Sequence, residues 1–379
     1  MRFDYLRSDF VEHAMRVNYS NINSEMNNEE RLFVNGLILE NKPKKIIEIG
    51  VSCGGGTVNI LNAIDNMPGS SLVSIDIATH YYANEAIAIG AEAYCTFPNA
   101  SNWELYTGKD CSEVLPLIDE KFDFAIIDTA HLHPVESLNF LCLLPYLNNG
   151  AIVVLHDISL FYYNTSGRAL ATRILASTLA AEKLFTYKNT TNYISNDEKI
   201  CNICAFEITD NLRKYIENTF LALSLPWECY PVECISSMRK CIYDNYPPKL
   251  LAIFDEAEKY NFSYFFTDSR TYSLQKVKML IEQLEKDDVV FYGAGRNMAL
   301  VLRAYELVGI SFKHPIFDIN ANRIKTVNGN CVCEPNFNCA STQKVVITIA
   351  NGTIAQSIKQ KYIENEINAI RLADMVLKL

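Results

Sequence analysis

The chain has 379 residues, 49% of them hydrophobic and 21% charged, with 34 Lys and Arg set against 44 Asp and Glu. Those are globular proportions over a length that predicts two to three domains with sizeable cores. A net charge of −10 with no Lys/Arg-rich run argues against a nucleic-acid partner, and no stretch reaches the roughly 18 uncharged apolar residues of a membrane span.

The N-terminus, Met-Arg-Phe-Asp-Tyr-Leu-Arg, has no apolar leader core, so the expected compartment is cytoplasmic. Residues 9–40 read as helical: Asn27, Glu29 and Glu30 give a polar start, Leu32, Phe33, Leu37 and Leu39 an apolar stripe, and Pro43 a stop. Ile46-Ile47-Glu48-Ile49 then reads as a buried strand running into the turn Gly50-Val51-Ser52-Cys53-Gly54-Gly55-Gly56. A helix through Val58, Leu61 and Ile64 should follow, ending at Pro68-Gly69. Strands are expected at 72–77, near 92–96, at 122–128 and at 151–157. The last two are continuous apolar runs, as expected for a parallel sheet covered on both faces. Residues 205–275 are aromatic and punctuated by Pro226, Pro231, Pro247 and Pro248, which predicts a mainly helical connector. Near 287 a second α/β unit begins, with a strand, a Gly293-x-Gly295 turn and a helix start, then a strand ending at Asp318. The reading is therefore an α/β protein: a doubly wound, mostly parallel sheet in 1–210, a connector in 211–280, and a smaller Rossmann-like domain in 281–379.

Cysteine usage adds little. Among the twelve, one cluster draws notice: Cys201-x-x-Cys204, with Cys229, Cys234 and Cys241 downstream. A zinc ribbon needs a second such pair, so reduced structural thiols are the simpler reading.

A parallel α/β sheet binds its ligand in the crevice beyond the carboxyl ends of its strands. Here that crevice would hold a turn without bulky side chains and, at Asp76, a carboxylate able to hold two hydroxyls. An adenosine-type ligand fits. The spacing Gly50-x-x-x-Gly54 misses the Gly-x-Gly-x-x-Gly of dinucleotide folds, and Glu48 just before it suits a cation better than a phosphate. Asp128, His131, His156 and Asp157 close two expected neighbouring strands and would converge at the same edge. Asp128, His156 and Asp157 could hold a divalent cation, Mg2+ or Mn2+, lowering the pKa of a bound hydroxyl. His131 could take the proton, since an imidazole titrates near ~6.5. In the second unit Asp318 follows Gly295 by 23 residues, where a ribose-binding acid belongs, making Gly293, Gly295 and Asp318 a candidate second nucleotide site.

The segment Ile46–Gly54, with Asp76 closing the second strand, resembles the class I S-adenosylmethionine (SAM)-dependent methyltransferases. The resemblance implies SAM as cofactor, bound by Glu48, Gly50, Ser52, Gly54 and Asp76. Phe124–His131 together with Asn148–Asp157 looks like the metal-dependent sugar O-methyltransferases of the macrocin and mycinamicin type and the wider cephalosporin-hydroxylase-like group. That similarity implies Asp128, His156 and Asp157 as metal ligands, His131 as base and Asp110 near the adenine. The chain departs from the pattern at His156, where these enzymes have Glu. Residues 287–379 are similar to small Rossmann-like domains attached to bacterial sugar-modifying enzymes. The implied activity is O-methylation of a sugar, sugar-nucleotide or polysaccharide-precursor hydroxyl, with a homo-oligomer compatible with it. Two other readings stand beside it: an NAD(P)-dependent sugar-nucleotide oxidoreductase or epimerase using Gly293, Gly295 and Asp318, and a non-catalytic sugar-nucleotide-binding module.

Overall fold

The computed structural model describes residues 3–162, 168–186, 201–267, 274–336 and 343–376. They form two compact units: Met1–Cys229 with Ser237–Phe254, and Tyr230–Ser236 with Asp255–Leu379.

The first unit is built on a seven-stranded sheet. Its strands are β1 (Lys45–Ile49), β2 (Ser71–Asp76), β5 (Trp103–Thr107), β6 (Phe122–Ile127), β7 (Leu147–His156), β8 (Lys183–Phe185) and β9 (Ile203–Glu207). A small separate hairpin, β3 (His80–Tyr81) with β4 (Asn84–Ala88), falls between β2 and β5. The sheet order is β5-β2-β1-β6-β7-β9-β8. β1, β2, β5, β6 and β7 run parallel, while β9 pairs antiparallel with β7 and β8. Chain order runs outward from β1 to β2 and β5, then crosses back to β6, so the switch point lies between β1 and β6. Ligand crevices open there in doubly wound folds, beyond the carboxyl ends of the strands. The central strands are apolar and almost wholly buried, with Ile46, Ile47, Phe124, Ala125, Ile127, Val153, Val154 and Leu155 all excluded from water. This fits the expectation of a sheet covered on both faces.

Residues 9–40 divide into helices Ser8–Ala14 and Asn28–Asn41 with a short 3-10 turn at Tyr19–Asn21 between them. Asn27 caps the second helix: its side chain accepts from the backbone of Glu29 and Glu30, and Glu30 reaches back to the Asn27 amide. Two orphan amide groups are thereby satisfied reciprocally. After the glycine turn, the helix Gly55–Ile64 forms as expected. The strand expected near 92–96 is instead the helix Ala91–Thr96, started by Gly90 at φ 76. The sheet's edge strand there is β5, whose Trp103–Thr107 is only half buried and carries Glu104 on its exposed side. An edge strand with a polar face gives a weaker periodic signal than a buried one.

The second unit holds β10 (Val289–Tyr292), β11 (Ile316–Phe317), β12 (Thr326–Val327), β13 (Asn330–Cys333), β14 (Lys344–Ile347) and β15 (Asn368–Arg371), in the order β12-β13-β11-β10-β14-β15. All pairings are parallel except the β12–β13 hairpin. Helices Asp210–Lys214, Glu217–Ala222, Ile235–Asn245, Pro248–Thr267 and Leu274–Leu284 occupy the stretch expected to be a helical connector, and they contribute to both units. Residues 268–273 of that stretch lie outside the described residues. Within the second unit, Arg303 makes a bidentate pair with the buried Glu258, Nε to Oε1 and Nη2 to Oε2 both at 2.8 Å, and Tyr230 donates to the same carboxylate at 2.5 Å. A buried charge needs such a partner, and the planar guanidinium matches a carboxylate fork.

Candidate active site

Gly50 is the tightest position of the first glycine turn. It sits at φ 90, and a Cβ placed on it would lie 1.8 Å from the carbonyl oxygen of Asp128. Only glycine allows that approach. The contact is part of the sheet: the Gly50 amide donates to Ile75 O at 2.9 Å and the Asp128 amide to Ile49 O at 2.9 Å. The turn after β1 is thus sewn to the ends of β2 and β6. Gly54, at φ 102, starts the following helix.

Asp76, at the end of β2, holds the turn by its side chain. Its Oδ2 accepts from the amides of Val51 at 2.9 Å and Ser52 at 3.0 Å, and its Oδ1 accepts from Ala78 at 2.8 Å. A carboxylate offers about four acceptor sites, so one remains open to a further donor. Glu48 points inward from β1. Its Oε2 accepts from Thr57 Oγ1 at 2.8 Å and Ser74 Oγ at 2.7 Å, and Trp103 Nε1 donates to the same serine at 3.0 Å. Burial pushes the Glu48 carboxyl up to about 8, against the pull of its two hydroxyl donors. Asp110 caps the helix Cys111–Ile118, accepting from the Ser112 amide at 2.9 Å and its hydroxyl at 2.6 Å. Burial holds Asp110 above its ordinary carboxylate value.

Glu25, Glu48, Gly50, Ser52, Gly56 and Asp128 line one cleft at the β1/β6 switch point. Beside it stand the ends of β6 and β7. His131 Nε2 lies 3.1 Å from Asp157 Oδ2 and 3.4 Å from Asp128 Oδ1. One donor atom from each of Asp128, His131 and Asp157 falls within 4.8 Å of the others. His131 and Asp157 both take positive φ, at 56 and 58. A non-glycine residue rarely adopts that conformation, and two together mark a constrained site.

His156 lies beneath this trio. It is buried, with Nδ1 3.1 Å from Asp128 Oδ2 and Nε2 3.3 Å from Glu30 Oε2. Burial alone would lower its pKa, but Asp128, Asp157 and Glu30 outweigh it and hold the imidazole well above its ordinary range. Asp128 responds in the opposite sense: burial raises it, yet His156 and His131 leave it below the usual carboxylate value. The structure therefore gathers Asp128, His131 and Asp157 around a shared space. His156, grouped with the two aspartates by sequence, does meet them: its Nδ1 lies 3.1 Å from Asp128 Oδ2 and 3.7 Å from Asp157 Oδ1, while its Nε2 faces Glu30.

Several members were not visible in the sequence. Glu30 reads there as a helix start and doubles as the partner of His156, 126 residues away. Asn202 donates to Asp157 Oδ1 at 2.5 Å from beyond β8. Glu136, five residues after His131, accepts from Thr129 Oγ1 at 3.0 Å and from the His131 amide.

In the second unit the corresponding corner is arranged alike. Gly293 sits at φ 111, with a Cβ position 2.9 Å from Thr348 Oγ1 and Ile349 Cγ1. Asp318 Oδ2 accepts from the Ala294 amide at 2.8 Å, as Asp76 does from Val51, and Gly295 starts the helix Arg296–Val308.

Residues 47–158 match the family model described as a methyltransferase domain. That match lies within the first unit and spans its strands β1 to β7. Among solved structures, the chain is similar to the O-methyltransferase TomG from Streptomyces achromogenes, involved in tomaymycin synthesis and solved in complex with SAM. That match has 18% identity over 55% of this chain and 91% of that one, at a TM-score of 0.38. It is also similar to the O-methyltransferase from Bacillus cereus in complex with SAH (18% identity, 53% and 91% of the two chains, TM-score 0.35). A third is the SAH-bound methyltransferase PaMTH1 from Podospora anserina (15% identity, 54% and 88%, TM-score 0.36). No curated protein sequence matches the chain. No helix among the described residues is long and apolar enough to cross a membrane.

Proposed function

We propose that the first unit is a SAM-dependent O-methyltransferase acting on a hydroxyl of a sugar, sugar-nucleotide or polysaccharide precursor, with His131 as general base. The observation that carries the reading is the convergence of the Gly50 turn, the Asp76 carboxylate and the Asp128–His131–Asp157 trio at one switch point of a methyltransferase-type sheet. The chemistry of the cleft fits the cofactor. Its wall is carboxylate-rich, with Glu25 and Asp128, which suits a sulfonium cation, and its floor is a turn without bulky side chains. When bound, SAM supplies an electrophilic methyl group, so the protein's task is alignment and proton removal.

His131 is placed for that task. Its Nε2 lies 3.4 Å from Asp128 Oδ1 and 3.1 Å from Asp157 Oδ2, at the end of the strands that border the cleft. A positioned base of this kind is worth ~10²–10⁴-fold. Replacing His131 with Ala should reduce turnover on a responsive nucleotide sugar by about that factor while SAM binding by calorimetry stays within a few-fold. Loss of SAM binding in the variant would make the residue structural instead.

The same trio supports a second role. Two carboxylate oxygens and an imidazole nitrogen within 4.8 Å form a donor set that suits Mg2+ or Mn2+. Asp128, His131 and Asp157 would hold it, and the ion would lower the pKa of a ligating hydroxyl. Turnover abolished by EDTA and restored by Mn2+ would assign His131 to the ion; full turnover in EDTA would leave it as the base.

For the second unit we propose a nucleotide or sugar-nucleotide site at Gly293, Gly295 and Asp318, in keeping with the Asp318 clamp on the turn. The match to a methyltransferase domain in 47–158 supports methyl transfer over an NAD(P)-dependent oxidoreductase.

A further inference from the structure

We propose that Glu25, carried on the segment before the helix Asn28–Asn41, is the residue that binds the α-amino group of SAM. The proposal rests on the reading of the cleft as a SAM site. It deepens that reading by separating the two cations of the ligand, its sulfonium and its ammonium.

The segment Asn23–Met26 lies directly against the glycine turn. A Cβ on Gly55 would stand 2.5 Å from the carbonyl oxygen of Asn23 and 2.6 Å from Ser24 Cα, so glycine is what lets the segment pack there. Two hydrogen bonds then tie it down. Cys53 Sγ donates to the Asn23 carbonyl at 3.0 Å, and the Asn23 amide donates to Glu92 Oε1 at 3.3 Å. Glu25 and Met26 thereby become part of the cleft wall, although they stand far from the turn in sequence.

The carboxylates around this strand edge differ in what holds them. Two hydroxyls inside the sheet bind Glu48, amides of the turn bind Asp76, and Asp110 caps its own helix. Asp128 has His156 and His131 beside it. Glu25 has neutral partners: Ser52 Oγ donates to its Oε1 at 3.2 Å, and the Tyr82 hydroxyl is a second donor. Its charged neighbours Asp128 and Asp157 are acidic themselves, and Glu25 is exposed. Among the described residues lining the cleft, it is the carboxylate whose charge meets neither a cation nor a backbone amide.

Hydrogen bonding decides which cation suits it. A sulfonium has no N–H, and its charge is spread over its carbon substituents. An ammonium brings three N–H donors, and a charge-assisted bond to a carboxylate is about twice as strong as a neutral one. A carboxylate has about four acceptor sites, so the two hydroxyls leave room for such donors. Glu25 therefore serves the amino-acid half of the ligand, while the adenosine half falls to Asp76.

Isothermal calorimetry on the full chain, wild type and Glu25→Gln, tests this with three ligands. SAM carries both cations, S-adenosylhomocysteine the ammonium alone, and 5′-methylthioadenosine neither. Gln keeps the length of the side chain and an oxygen to accept from Ser52, and removes the charge. The variant should bind SAM and S-adenosylhomocysteine roughly tenfold or more weakly and 5′-methylthioadenosine within about twofold of wild type. Unchanged binding of the third ligand also shows that the variant is folded. Weakening of SAM with S-adenosylhomocysteine unchanged would assign Glu25 to the sulfonium and overturn the proposal. So would equal weakening of all three ligands, or of none. Wild type that binds SAM beside an unaffected variant removes Glu25 alone. Wild type that binds none of the three removes the SAM reading, and the proposal falls with it.

Discussion

Single residues in the first unit hold two kinds of position, those fixed by space and those fixed by charge. Gly50 is of the first kind, since its missing Cβ lets β1 approach the carbonyl of Asp128. Glu48 is of the second. Its folded carboxyl titrates near 8 because it is buried, whereas the unfolded chain returns it to its ordinary value near 4.5. Between those values the native state holds a proton that the unfolded state has released, so stability falls as pH rises from about 5 to about 8. Glu48→Gln should flatten that slope and raise the urea midpoint at pH 8 relative to wild type. An unchanged slope in the variant would place the pH dependence elsewhere. The sequence marked Glu48 by its place before the glycine turn. It could not show that Thr57 and Ser74 surround it, because Ser74 reaches it only through the β1–β2 pairing.

Among the elements, the helix Asn28–Asn41 links local sequence to the site. Asn27 and Glu30 form a capping box that is readable from spacing, and Glu30 also reaches His156. Asn27→Ala should cost about 1 kcal/mol, seen as a lower denaturation midpoint with an unchanged m-value. A change below about 0.3 kcal/mol would mean that the cap is not holding the helix end. The buried strands β1, β6 and β7 were legible because continuous apolar runs have few other uses. Ala91–Thr96 was not. Its alternation of small and polar residues satisfies strand and helix templates alike, and the choice falls to Gly90, whose left-handed conformation turns the chain into a helix start. β5 and β9 were missed for a related reason: each is recognised by its partner in the sheet more than by its own pattern.

For the whole molecule, function follows from which strand ends meet. Placing β6 beside β1 after β2 and β5 creates the crevice, and the glycine turn, Asp76 and the trio Asp128, His131 and Asp157 gather at its edge. A ligand of the native state adds RT ln(1 + [L]/Kd) to stability, so SAM at a hundred times its Kd should add about 2.7 kcal/mol. A thermal shift with SAM and a smaller or absent one with NAD is the expected pattern, and the reverse would favour the oxidoreductase reading. By itself the sequence determined the α/β character, the glycine turn and the acidic strand ends, because burial, backbone freedom and charge are local properties of residue types. Only the tertiary structure decided that His131 Nε2 sits between Asp128 and Asp157 and that His156, beside the same aspartates, also reaches Glu30. That choice depends on side chains brought together from β6, β7 and a helix 126 residues away, and no local pattern records such distances.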